Sequence, residues 1–156
     1  MPPVSIRPAQ AADCPQMLQL VRELAEYERA PNEVTISPEH FTESGFGPDP
    51  VWWAIVAEAG GQIVGFALYY IRFSTWKGQK MYLEDIIVTE AWRGKGIGTL
   101  LMDELIKIAR TKGFIGINWQ VLNWNEPAIN FYKRYNAAFD GEWLNASIDV
   151  ENNNNK

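Results

Sequence analysis

The stretch Val88–Leu105, "VTEAWRGKGIGTLLMDEL", joins the end of an apolar run to the start of a helical pattern through glycines at 94, 96 and 98. A helix N-terminus presents N–H groups without intrahelical partners and a partial positive charge. Glycines just before it let a phosphate approach the backbone. Arg93 and Lys95 add cationic charge at the same place. The spacing predicts an anion cradle, although a tight strand-to-helix turn that merely uses glycine accounts for the glycines equally well. Two common phosphate loops do not fit. From Gly94 the order is G-K-G-I-G-T, with the third glycine one place early for a dinucleotide fingerprint, and no triphosphate loop ending in Gly-Lys-Ser/Thr occurs.

The pattern extends on both sides. After the glycines, Ile97, Leu100, Leu101, Leu105, Ile108 and Ala109 form one apolar helical face opposite Asp103, Glu104, Lys107 and Arg110, and Gly113 ends the helix. Before them, "VWWAIVAEAG", "QIVGFALYYIRF" and "KMYLEDIIV" are strand-like runs with short connections, which favours antiparallel neighbours. "VSIR" near the N-terminus alternates as a strand. A helix follows, with Asp13 as its cap, Pro15 in its first turn and Met17, Leu18, Val21, Leu24 and Ala25 on one face. Ser37 before Pro38 marks a short second helix. Downstream, "FIGINWQVL" predicts a strand, "NEPAINFYKRY" a helix with Pro127 in its first turn, and "EWLNASID" a last strand. The order predicts an α/β (α+β) fold: a mixed, largely antiparallel central sheet with helices on both faces, in a single domain over 1–150. The strand ending in "DIIV" and the strand after the long helix are expected to run parallel. The tail 151–156, "ENNNNK", is of low complexity and expected to be disordered.

Composition narrows the function. The 156 residues carry 14 basic and 19 acidic side chains, a net charge of −5, which disfavours nucleic acid or an anionic membrane as partner. Cys14 is the only cysteine, so neither a disulfide nor a thiolate metal cage is available, the pattern of a cytoplasmic protein. His40 stands alone, and no metal site is expected. No leader segment and no run of about 18 apolar residues is present, so neither secretion nor membrane spanning is expected.

The loop "RGKGIG", with Arg93, Gly96 and Gly98 in R-x-x-G-x-G spacing, resembles the acyl-CoA pyrophosphate loop of the GNAT acetyltransferases. Further segments match in order: "IRPA" and "AADC", "ELAEYE", "STWKG", "YLEDIIV", "WNEPAINFYKR" and "GEW" are similar to the spermidine/spermine N-acetyltransferase group over residues 4 to 145. The resemblance implies the GNAT fold, acetyl-CoA as co-substrate, a small primary amine as acceptor and a homodimer. It assigns Gly94, Lys95, Gly96, Ile97, Gly98 and Thr99, with Arg93, to the diphosphate, and the backbone of Ile86, Ile87 and Val88 to the pantetheine arm. Asn125, Glu126, Pro127 and Ala128 match the second cofactor segment. Tyr132 matches the tyrosine beside the thioester sulfur, in the role of acid; a helix-anchoring tyrosine is the plainer reading, and Tyr135 lies on nearly the same helical face.

For the base, "LED" supplies Glu84 and Asp85, and a regular strand would turn them to opposite faces, whereas a bulge would alter this. The resemblance favours Glu84, acting through water. Tyr27 and Glu28 match amine-holding positions, and their plainer reading is a solvated helix end. Cys14, without a neighbouring histidine, reads as core filler rather than an acetyl-carrying nucleophile, so direct attack in a ternary complex is expected. The family's polyamine-acetylating members carry an aspartate shortly before the tryptophan of the strand connection. Here Ser74 and Thr75 precede Trp76, and the form "STWKG" resembles the branch that acetylates thialysine. Loss of one carboxylate weakens a long polycation more than a short acceptor, so a lysine-like amino acid or diamine is expected, with Trp76 beside it. A polyamine or protein amine as acceptor, and a non-catalytic acyl-CoA-binding module, remain the alternatives.

Overall fold

A computed structural model describes residues 2–150; the expected tail, 151–156, lies outside them. The chain forms two compact units, one ending at Gln120 and the other beginning at Val121.

The first unit is built on a five-stranded sheet in the order β1-β2-β3-β4-β5. Its strands are β1 (Val4–Pro8), β2 (Trp53–Ala59), β3 (Gln62–Ser74), β4 (Gly78–Val88) and β5 (Ile117–Asn118), and its helices α1 (Cys14–Tyr27), α2 (Pro38–Phe46) and α3 (Ile97–Thr111). The first four strands pair antiparallel and β5 runs parallel to β4, as the order of elements predicts. The β2–β3 connection is two glycines, Gly60 and Gly61, both at positive φ (57° and 80°), the conformation that matches the twist of a two-residue hairpin. Ser37 accepts a hydrogen bond from the His40 N–H and opens α2 as expected.

The two faces of the sheet are covered by different helices. Val56, Phe66, Leu68 and Ile87 pack with Trp52 against Cys14, Met17, Leu18 and Leu20 of α1 and Phe41 of α2. On the other face α3 packs on β3 and β4 and buries Ile97, Leu101, Met102, Leu105 and Ala109. Truncating a side chain as enclosed as Leu101, which has no exposed surface, costs about 2–5 kcal/mol, because the cavity does not fully collapse. The amphipathic periods of α1 and α3 therefore fix which side of the sheet each helix takes.

Three expectations need correction. Asp13 does not cap α1; its carboxylate pairs with Arg7 at 2.8 and 3.0 Å and accepts from the Gln10 N–H, because the strand β1 brings a guanidinium within reach. The strand expected over "FIGINWQVL" shrinks to Ile117–Asn118, since β5 meets β4 only at Met81 and Tyr82. The last strand does not form among the described residues: 137–150 contain no strand, and Trp143, Leu144, Ile148 and Val150 are 81–93% exposed. A strand needs a partner backbone, and none pairs with this segment among the described residues.

In the second unit, α4 (Glu126–Lys133) begins at Asn125, whose Oδ1 accepts from the Ala128 N–H at 3.3 Å, with Pro127 in the first turn. Tyr132 is buried, with Phe131 edge-on to it at 5.5 Å between ring centroids. Asn136 takes φ 58°, the left-handed conformation that asparagine tolerates.

Candidate active site

The path from β4 to α3 is shaped by glycine. Gly94 and Gly96 adopt φ of 75° and 81°, and a Cβ at either would meet nothing within 4 Å. Gly96 is the N-cap of α3 and offers no side chain to the helix; the Leu100 N–H, bonded to the Gly96 carbonyl at 3.1 Å, makes the first bond of the helical ladder. The start of α3 therefore carries no capping side chain, and the space beside Gly94 and Gly96 is open, so an anion can approach the helix N-terminus. Lys95 is exposed beside them. These features fit a diphosphate.

Arg93 is held differently. Its Nε donates to the Val88 carbonyl at 3.0 Å, a terminal nitrogen pairs with Glu23 at 3.4 Å, and the guanidinium lies 5.6 Å from the Tyr27 ring centroid. Glu23 also accepts from the Thr89 hydroxyl (2.9 Å) and the Glu90 N–H (3.1 Å). Glu23 was missed by sequence reasoning, although its spacing of four from Tyr27 puts both on one face of α1. The end of α1 thus pins the loop that precedes the glycines.

β4 supplies an open edge. Ile86, Ile87 and Val88 pair with β3 on one side, and on the other β5 has already ended opposite Tyr82. The outward N–H and C=O groups of this stretch can accept an extended amide-bearing ligand as an added strand.

The carboxylates follow from an irregularity. β3 and β4 shift register between Leu68↔Asp85 and Tyr69↔Leu83, so Glu84 is the extra residue of a bulge. Asp85 shares the face of Leu68, towards α1. Tyr70, two residues on and on that same face, donates from its hydroxyl to Glu84 Oε1 at 3.1 Å. Both carboxylates therefore address the α1 side, where a regular strand would have separated them. Burial, then Glu84 and Glu28, push Asp85 up to about 7. Burial also raises Glu28, which follows α1 directly. The same causes, burial first and then Glu84, push Tyr70 up to about 12. Like charges gathered in a half-buried place attract a cation.

Other residues fall elsewhere. Trp76 is 90% exposed at the β3–β4 turn, and Gly78, where β4 begins, already lies six strand residues before Glu84, or about 20 Å. Ser74 accepts from its N–H and shapes that turn. Cys14 is buried, and burial pushes its thiol up, which removes thiolate at neutral pH and agrees with a packing role. Asn125 to Ala128 and Tyr132 belong to the second unit. Among the described residues no helix is long and apolar enough to cross a membrane, and no group of three metal-ligating side chains is gathered.

The sequence profile of the acetyltransferase (GNAT) family matches residues 16–137. The chain belongs to that family. GNAT acetyltransferases use acetyl-CoA as co-substrate, and this chain is an acetyl-CoA-dependent N-acetyltransferase. Similar proteins include thialysine N-epsilon-acetyltransferase of Bos taurus, 42% identical over 86% of this chain and 84% of that protein, and its Mus musculus counterpart, 40% identical over 94% and 92%. An integron cassette protein from the mobile metagenome of V. cholerae superposes with a TM-score of 0.76 at 27% identity, covering 97% of this chain and 96% of that one. The GNAT fold that the resemblance implies is the fold observed.

Proposed function

We propose that this GNAT enzyme acetylates the side-chain amine of a small lysine-like amino acid. The observation that carries the proposal is the gathering of Glu28, Glu84 and Asp85 on one face of the sheet, beside a helix end that also braces the glycine loop. The identity of 40–42% to thialysine N-epsilon-acetyltransferases supports the same acceptor class. Acetyl-CoA supplies an acetyl group activated as a thioester. The amides from Gly94 to Thr99 and the Lys95 ammonium hold its diphosphate, and the outer edge of Ile86, Ile87 and Val88 takes the amide-bearing arm.

The acceptor arrives as an ammonium, since a lysine-type amine titrates at about 10.4. Glu28 and Asp85 hold that charge, with Tyr27 closing the end of α1. Glu84, exposed and oriented by the Tyr70 hydroxyl, takes the proton through water. The free amine then attacks directly. Tyr132 returns a proton to the departing sulfur, a task a phenol performs without prior ionisation. A single acetyltransferase domain over 1–150 belongs to the same proposal. Asn125, Glu126, Pro127 and Ala128 complete the cofactor site. Trp76, so far from Glu84 along the strand, takes part only through its flank of the hairpin or through a second copy.

The homodimer belongs to the same proposal. The exposed apolar row Trp143, Leu144, Ile148 and Val150 supports a surface that a second chain covers, and light scattering after gel filtration reads its mass. Activity without disulfides in a reducing cytoplasm fits the single buried Cys14.

The test is a panel of thialysine, lysine, putrescine, spermidine and a lysine peptide with acetyl-CoA, read as CoA release. Fastest turnover on thialysine or lysine is expected. A clear preference for spermidine or the peptide overturns the acceptor. No turnover with CoA binding retained supports a binding module instead.

A further inference from the structure

We infer that Asn118 reads the α-amino and α-carboxylate end of the acceptor and so sets specificity for an amino acid over a diamine. The inference rests on the proposed amine site. Oδ1 of Asn118 is buried and has no hydrogen-bond partner among the described residues. A buried polar atom left unpaired is destabilising, and native chains keep few of them unless a ligand or water completes the pairing.

Its place in the sheet says which ligand. Asn118 pairs with Tyr82 across the parallel β4–β5 contact, and Tyr82 pairs with Tyr70. Directly paired residues share a face, so Tyr70, Tyr82 and Asn118 form a transverse row on the α1 side. The rings of Tyr70 and Tyr82 stack at 5.1 Å, and the Tyr70 hydroxyl reaches Glu84. The row therefore runs from the carboxylate proposed as base to the strand at which pairing ends. One strand spacing across and two residues along separate Asn118 from Glu84, about 8 Å between backbones. That is comparable to an extended lysine side chain.

The chemistry of the group then selects the end it meets. A side-chain amide carries an acceptor and donors side by side, and it is neutral. An amino-acid head offers the complement, N–H donors and carboxylate acceptors on neighbouring atoms. The distal end of a diamine or polyamine offers donors alone, for which a carboxylate would be the better partner. An acceptor lying along the Tyr70–Tyr82 row, with its reactive amine at Glu84 and Asp85, brings its α-carbon to Asn118.

Wild type, Asn118→Ala and Asn118→Asp are compared in steady state with L-lysine and with cadaverine, which has the same amine chain without the carboxylate. Asn118→Ala is expected to raise KM for L-lysine about tenfold or more, with cadaverine changed by no more than about twofold. Asn118→Asp, which repels the α-carboxylate, moves the preference towards cadaverine. Equal changes for both amines, or none, overturn the inference while leaving the acetyltransferase reading intact. If wild type acetylates neither amine, the acceptor reading fails instead, and the proton–nitrogen NMR signal of the Asn118 side-chain amide still decides this point. A saturable shift with L-lysine and none with cadaverine supports the assignment. A signal that stays put with both overturns it.

Discussion

Two helices of this chain begin in opposite ways. α4 closes its own start: Asn125 accepts from the Ala128 N–H, and Pro127 removes another donor. α3 leaves its start open, with Gly96 as a cap that has no side chain and Gly94 clearing the approach. A glycine cap gives up only roughly a few tenths of a kcal/mol relative to asparagine or serine, a small cost for a helix start that no side chain blocks and that an anion can approach. Under the proposed function the difference gives donor binding chiefly to α3 and leaves α4 as a self-supporting platform for the side chain of Tyr132.

The sharpest way to break this comparison is to remove the phenol. Tyr132→Phe is expected to lower kcat by roughly 10²–10⁴, the range of general acid catalysis, with CoA affinity unchanged in calorimetry. Loss of CoA binding with unchanged chemistry would put α4, not α3, at the donor.

The next effect falls on α3. Gly96→Ala forces a side chain to φ 81° and places a methyl where nothing else lies within 4 Å. Gly113→Ala is the matched control, because Gly113 follows the same helix at φ 74° with equally open space. Both variants carry backbone strain of about 1–2 kcal/mol and should melt at similar temperatures. Only Gly96→Ala should weaken CoA, by about tenfold or more, as the methyl meets the diphosphate. Equal CoA affinity in the two variants would show that the glycines serve the turn alone.

Asp85 tests the acidic face. Its folded pKa, raised from 3.8 to about 7, means that the folded protein keeps a proton the unfolded chain has already released over that interval. The group's contribution therefore falls as pH climbs from about 4 to about 7 and stays lost above. Urea midpoints at pH 5 and pH 8 should show a drop that Asp85→Asn abolishes. An identical drop in the variant would mean that Asp85 is solvated and not crowded by Glu84 and Glu28. Added lysine should raise the wild-type midpoint at pH 8 more than that of the variant.

What was legible in the chain was local. The apolar faces of α1 and α3, the short links between β2, β3 and β4, and the glycine run before α3 are patterns within one element and its neighbours, and the observed fold keeps them. What was not legible depends on partners far away in the chain. The bulge at Glu84 exists because Leu68 and Tyr69 set the register on β3, so no spacing within "LED" reveals that both carboxylates turn to α1. The raised Asp85 comes first from burial, then from Glu84, and in part from Glu28, which follows α1 far away in the chain. Arg93 looked like a free cation beside the phosphate loop, and it is Glu23, seventy residues earlier, that occupies it. The strand expected over "EWLNASID" has the right alternation but no backbone beside it among the described residues, and periodicity cannot supply a partner.

The smallest effect bears most directly on the comparison of helix starts. Asn125→Ala removes the acceptor of the Ala128 N–H and should cost α4 about 1 kcal/mol, read as faster amide hydrogen exchange over Ala128 to Phe131. If the Asn125 side chain only caps, activity should fall no more than the fraction of frayed helix requires, and cooling should restore it. The resemblance to the family also places Asn125 in the cofactor site, and then CoA affinity should fall at every temperature, including where exchange shows α4 intact. The two outcomes separate because a cap acts through the helix it stabilises, whereas a ligand contact is lost whether or not that helix is formed. CoA titration at low temperature therefore decides whether α4 begins with a closed end or with a second, weaker hold on the donor.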